Sequence, residues 1–380
     1  VYFQKEAPKM QKPRYILATL FLALALGSSA FADTRDVEGW MKSSNFIVGV
    51  YNVEDLIQIP GTPWILGSGL TTLGPGMDDP WKTKNYIHVF DARTETGYAV
   101  QGEDIALKPA PNTYPDTSTP PDWEKLCTHG IALGATNGNN IRFYAVTHGR
   151  EAVEVFDIDF SGERLHFTWI GTILAPIDGF IDAVAWIPGT DGVVVTSLLD
   201  PRYPEAEGEK QMKGEPVGWV REWFPEKGWT NLRGTEPFSS DNGIVVSADG
   251  KYVYIAASAT MNIHRITREG DDPELVSTQL DGIPDNIRWS EDGKSLLVGV
   301  HTAPVEEFVA AQMTAAKSGG NQLTPFNITR LDPETLKAET VMPNGVYGAL
   351  GAATGAIEVG NRLWVSTTKA DRIGIFDLNP

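Results

Sequence analysis

The sequence predicts an all-β protein, a six-bladed β-propeller with rim insertions, preceded by a cleavable signal peptide. Three observations carry that prediction: six copies of one strand-turn-strand unit, 38 Gly and 25 Pro dispersed along 380 residues, and a hydrophobic content of 42% with 11 Trp. Dispersed Gly and Pro are what many short strands joined by tight turns require, and the apolar fraction suffices for a large core. Closed all-β rings often exceed the usual domain length as one unit, so no second domain is required.

The repeat is an apolar strand, an Asp-Gly or Gly-Asn turn, a β-branched strand, a short gap and a strand ending in a polar cap. The first copy covers 55–66 and leads to 87–91. The second runs from Gly130 through Asn137-Gly138 to 141–146 and 153–157, and the third from Asp182 through Asp191-Gly192 to 193–197. The fourth, from Gly243 through Asp249-Gly250 to 262–266, is the clearest, and its Asp-Gly pair reads as a hairpin turn with both central residues at positive φ. The fifth runs from Asn286 through Asp292-Gly293 to 296–300 and 328–332, and the sixth from Ala356 through Gly360-Asn361 to 363–366 and 373–377. Six units, none able to bury both faces alone, signal radial repetition. A two-sheet sandwich would not group its strands in fours with one internal order.

Two stretches depart from the template. Residues 201–237 include Trp219, Trp223 and Trp229, and residues 304–317 place Val305, Phe308, Val309 and Met313 on one face of a helix. Insertions between propeller strands emerge at one rim of the tunnel, so both stretches are candidates for a lid over a pocket, with plain surface packing as the alternative.

Residues 1–9 read as an upstream remnant. From Met10, the basic Lys12 and Arg14, the apolar run 16–26 and Ala30-Phe31-Ala32 make 10–32 a secretory signal, with 33–380 as the propeller. Periplasmic or secreted localisation follows, or anchorage if the signal stays uncleaved. Cleavage before Asp33 removes four basic residues against Glu6 alone, taking the net charge from −18 to −21. Such a surface repels phosphate backbones and anionic lipid, which argues against a nucleic-acid partner and favours cations. No second apolar stretch reaches the roughly 18–20 residues that span a bilayer. The single Cys127 excludes an internal disulfide and cysteine-built zinc sites, so ring closure must rest on strand pairing.

Calcium takes six to eight oxygen ligands. Innermost propeller strands begin at the tunnel, and Glu54-Asp55, Asp182, Asp241-Asn242 and Asp285-Asn286 each open a repeat. Asp and Asn are also ordinary turn residues, but four such openings at one topological position point to a metal. Of the six histidines, His129 opens a tunnel strand with His148 in the same repeat, whereas His88 and His264 fall in outer-strand patterns and read as packing.

From about Asp33 onward the chain resembles the paraoxonases, a family of calcium-dependent lactonases and arylesterases. The resemblance rests on 53–60 with 67–70, Thr128-His129-Gly130-Ile131-Ala132 with 144–148, the blade 241–256, and Pro284-Asp285-Asn286-Ile287. It implies two calcium ions. Glu54, Asn242, Asp285 and Asn286 would bind a catalytic ion, while Asp55, Asp182 and the backbone carbonyl of Ile131 would bind a structural one. His129 would be the general base acting on water, and His148 would orient it or relay protons. The implied function is calcium-dependent hydrolysis of small carboxylic esters, lactones or aryl esters, and an apolar rim suits an aromatic or alkyl lactone better than a sugar lactone. A gluconolactonase-like hydrolase with one metal, a non-catalytic calcium-stabilised binding propeller and a strictosidine-synthase-like propeller are alternatives; the paired histidines favour the first reading. Two departures stand out. Ile181-Asp182 replaces the family's Asn-Asp, which removes one oxygen ligand that water, Asp178 or Asp241 would have to supply, and the family's disulfide is absent.

Overall fold

The computed structural model describes residues 44–70, 87–318 and 320–378. The predicted signal peptide and its cleavage point lie outside the described residues.

Six antiparallel sheets form the blades of a propeller. Blade one comprises Leu56–Gln58, Trp64–Gly67, Ile87–Asp91 and Thr96–Val100. Blade two comprises Thr128–Asn137, Asn140–Thr147, Ala152–Asp159 and His166–Leu174, with Ala106–Leu107 added in parallel at its outer edge. Blade three holds Phe180–Trp186, Val193–Leu199, Trp219–Phe224 and Gly228–Asn231. Blade four holds Asp241–Val246, Tyr252–Ala257, Asn262–Thr267 and Leu275–Gln279. Blade five holds Ile283–Trp289, Leu296–His301, Phe326–Leu331 and Ala338–Gly345. In blade six, Ala353–Val359, Arg362–Thr367 and Arg372–Asp377 are completed by Asn45–Val48 from the other end of the chain, with Asn45 opposite Ile375 and Val48 opposite Arg372. The ring is therefore closed by strand pairing, and Cys127 is buried and forms no disulfide among the described residues.

The core lies between blades. Leu66 and Val89 of blade one pack with Phe143, Phe156 and Trp169 of blade two. Tyr144 and Val155 of blade two pack with Val184 and Val195 of blade three. Leu56, Ile65 and Phe90 of blade one meet Ile357, Trp364 and Ile375 of blade six, which seals the circle. Each fully buried side chain of this size contributes roughly 1.5–3 kcal/mol of transfer free energy. No blade has a core of its own to collapse around.

Two expectations are corrected. At Asp249-Gly250 only Gly250 takes positive φ (72°). Asp249 instead accepts hydrogen bonds from Ser247 Oγ (2.6 Å) and the Lys251 amide (3.0 Å), so a side chain supplies the turn that a second left-handed residue would have supplied. Ser290, Asp292 and Gly293 (φ 69°) repeat the device in blade five. Secondly, most of 217–237 is not an insertion: Trp219–Phe224 and Gly228–Asn231 are the third and outer strands of blade three, with Trp223 opposite Trp229. The aromatic residues pack in the sheet rather than over the pocket.

What remains of the insertions is two helices, α1 (Pro204–Met212) and α2 (Val305–Ser318). Proline begins α1, and both helices place acidic residues in the first turn and lysine in the last, which complements the helix dipole. The predicted inner face of α2 is observed: Val309 is buried, and Val305, Phe308 and Met313 are half-buried.

Candidate active site

Five of the six innermost strands slip register near the tunnel mouth, between Thr128 and Ile131, Ile181 and Val184, Asp241 and Ile244, Pro284 and Ile287, and Ala353 and Gly355. Such bulges free residues from the ladder and re-aim their side chains. The residues released are His129, Asp182, Asn242, Asp285, Asn286 and Thr354. With the exception of Asn286, they and Glu54 line one cavity of about 270 Å³. Close approach of the inner strands depends on glycine. A Cβ on Gly130 would lie 2.5 Å from Ala183 Cα, and one on Gly243 2.4 Å from the Asp285 carbonyl oxygen.

The cavity floor is acidic and buried. Glu54 Oε1 accepts from Asn286 Nδ2 at 2.6 Å, while its backbone carbonyl accepts from the same amide (3.1 Å) and from the Thr354 hydroxyl. Burial first, and then the charges of Asp285, Asp55 and Asp182, raise the Glu54 carboxyl well above its ordinary range. Asp182 is raised likewise, by burial and then by Asp285 and Asp55. Glu54 Oε2, Asp182 Oδ2 and Asn242 Oδ1 are buried without a hydrogen-bond partner. Orphaned buried oxygens are costly, and an all-oxygen set of carboxylates and amides suits a hard cation. Among the described residues no three His, Cys, Asp or Glu side chains make a closed metal cage alone; the amides belong to the donor set.

A histidine relay runs from this floor. His129 Nε2 stands 3.7 Å from Glu54 Oε2 and 3.6 Å from Asp182 Oδ2. Its Nδ1 meets His148 Nε2 at 2.9 Å, and His148 Nδ1 meets Glu151 Oε1 at 2.7 Å. A carboxylate only accepts, so His148 donates from Nδ1 and accepts at Nε2 from His129. That tautomer leaves a lone pair on His129 Nε2 facing the cavity. Burial, and then His148, push the His129 pKa well below its ordinary value, which keeps the ring neutral. The His148 ring stacks on Phe180, centroids 4.5 Å apart.

Two site residues escape a reading of the sequence. Glu151 lies three positions after His148, a spacing that a search for a third relay member would have found. His301 ends the second strand of blade five and bonds Asp285 Oδ2 through Nε2 at 2.8 Å, with its ring 4.4 Å from Phe308. Above the floor the walls are apolar, formed by Phe180, Leu198, Leu199, Ile283 and Phe308, and Gln211 of α1 and Gln312 of α2 lie at the rim.

Other candidates fall elsewhere. Asp55 and Ile131 are buried beside the cavity, not in its wall, and Arg288 bonds both: Nη2 donates to the Ile131 carbonyl (2.7 Å) and pairs with Asp55 Oδ2, and Nε donates to Asp55 Oδ1 (3.1 Å). Ile181 packs in the core between blades two and three. Asp178 is held bidentately by Arg221 at 2.7 and 2.8 Å and is spent there. Asp241 is fully buried, with both carboxylate oxygens unpartnered, and it too lies outside the cavity wall.

Residues 231–351 match the family model described as arylesterase. Serum paraoxonase/lactonase 3 of Oryctolagus cuniculus is 34% identical over 191 residues, 47% of this chain and 50% of that protein. The Homo sapiens protein of the same name is 26% identical over 198 residues, 49% and 52% of the two chains. Over these segments the chain is similar to the paraoxonase and arylesterase family. It spans about half the length of the paraoxonases it matches. The arylesterase segment carries Asn242, Asp285, Asn286 and His301, together with Arg288 and α2. The chain is also similar to a solved structure outside the paraoxonases, the PQQ-bound form of aldose sugar dehydrogenase from Streptomyces coelicolor, at TM-score 0.47 and 14% identity over 88% of this chain and 98% of that one. Among the described residues no helix is long and apolar enough to cross a membrane.

Proposed function

We propose that this chain is an exported, periplasmic or secreted hydrolase of carboxylic esters, with lactones or aryl esters as substrates, and that calcium supports the reaction. The observation that carries the reading is the free Nε2 of His129, set between two orphaned carboxylate oxygens at the floor of an apolar-walled cavity. Glu54, Asp182, Asn242, Asp285 and Asn286 would hold the ion. A bound calcium ion supplies positive charge that polarises the ester carbonyl and stabilises the oxygen on which negative charge develops.

His129 removes a proton from water at Nε2 and becomes an imidazolium. His148 and Glu151 keep the ring in the required tautomer and offset the new charge, and the proton passes from Nε2 to the departing alkoxide or phenoxide. Phe180, Leu198, Leu199 and Phe308 bind the apolar part of the substrate and keep bulk water from the floor. An apolar wall favours alkyl and aryl lactones over sugar lactones.

The test is a hydrolysis screen of γ- and δ-lactones, aryl esters and a sugar lactone, with calcium and with chelator, on the wild type and His129→Gln. Apolar lactones or aryl esters should turn over only with calcium, and the substitution should lower turnover by about 10²–10⁴-fold, the usual loss with a general base. Sugar-lactone hydrolysis alone would favour the gluconolactonase-like reading. No hydrolysis at all would leave a binding propeller.

A further inference from the structure

We propose that the Arg288 guanidinium occupies the place of a second cation, so that the ring holds one divalent ion and Asp182 faces it. This rests on the reading that the cavity floor binds a cation, and it departs from the two-ion arrangement implied by resemblance. Of the three groups implied for a structural ion, two are already engaged. Asp55 Oδ1 accepts from the Leu56 amide (2.9 Å) and Arg288 Nε (3.1 Å), and Oδ2 accepts from the Ile131 amide (3.0 Å) and pairs with Arg288 Nη2. The Ile131 carbonyl accepts from Nη2 at 2.7 Å, and Nε also reaches the Leu56 carbonyl at 3.0 Å. A calcium ion needs those same lone pairs. A guanidinium stays charged in a protein, so displacing Arg288, which is 7% exposed, would strand a buried positive charge.

The third group has gone the other way. Asp182 Oδ2 accepts no hydrogen bond, and Asp182 lines the cavity with Glu54 and Asp285. It therefore offers the oxygen that Ile181, packed in the core, does not supply.

Ion counting separates the alternatives. The native chain, equilibrated with calcium and dialysed, should retain one ion per chain by elemental analysis. Arg288→Ser, which empties the guanidinium place, should retain two. If that variant does not fold, Asp55→Asn decides, since it should still hold one ion, whereas Asp182→Asn should weaken calcium binding at least about tenfold, as loss of a carboxylate ligand does. Two ions on the native chain, an Arg288→Ser chain that folds and keeps one, or loss of an ion in Asp55→Asn would each overturn the displacement. A native chain with no ion would overturn the cation reading itself.

Discussion

Glu151 sits in left-handed backbone, φ 43°, immediately before the third strand of blade two. That conformation disfavours a side chain, and here it lets one carboxylate serve two blades: Oε1 binds His148, and Oε2 accepts from the Ile181 amide at 3.3 Å. Because Glu151 does not line the cavity, Glu151→Gln should leave KM unchanged while kcat falls about 10- to 100-fold, the size of effect that outer partners of a site produce. Glu151→Asp should recover part of the loss, and steady-state kinetics on the three proteins will show it. A loss of stability with kcat and KM per folded chain unchanged would make Glu151 a packing residue. Residues of this kind mark the limit of sequence reasoning. His129, Asp182 and Asn242 were legible because they open repeats, where backbone geometry aims them at the axis. Arg288 was not, since it lies mid-strand and meets Asp55 across 233 residues of sequence. The same holds for His301, whose site role comes only from its bond to Asp285.

Repeats legible in sequence became sheets because each carries its own turn chemistry, whether Ser-x-Asp-Gly at 247–250 or Asn-Gly at 137–138. Asn45–Val48 has no such signal, and its partner is fixed only by the closed ring. Phe46 anchors this strand, edge-on to Phe376 at 6.1 Å with Arg372 over its face at 5.6 Å. Truncation should therefore loosen the seam without reaching the cavity. Phe46→Ala is expected to cost about 2 kcal/mol, less than a fully buried phenylalanine because the ring is half-exposed. Urea unfolding measures the loss, and hydrolysis per folded chain should stay at the wild-type value. Blade three teaches the opposite lesson: the dense aromatics around Trp219 obscured an ordinary strand alternation. Helix α2 was legible because its apolar spacing is regular over three turns.

Across the whole molecule, proton uptake on unfolding is set partly by histidines far from the cavity. Burial lowers His88 to about 4, and His264, stacked on Phe238 at 3.9 Å, is also lowered to about 4. Their folded pKa values lie below the unfolded value near 6.5, so between those limits the unfolded chain binds more protons and stability falls as pH falls. Stability should be full above about pH 6.5 and decline toward pH 4, with His88 alone contributing roughly 3 kcal/mol across that window. Denaturant titrations at pH 7 and pH 4.5 test this, and His88→Gln should flatten the difference. An equal drop in the variant would place the proton-linked instability elsewhere.

Contacts between distant parts of the chain also dictate when the site comes into being. Asn52 caps the Ala370 amide across 318 residues, and the Glu54 carbonyl takes the Thr354 hydroxyl across 300. During synthesis the first floor carboxylate is made long before the residues that face it. Non-local pairings of this span form slowly and late. A nascent or half-threaded chain thus has no assembled place for an ion, and folding through its early blades should proceed at the same rate with or without calcium. On the proposed calcium reading, an ion's influence would begin only at the final step, when the two ends of the ring meet.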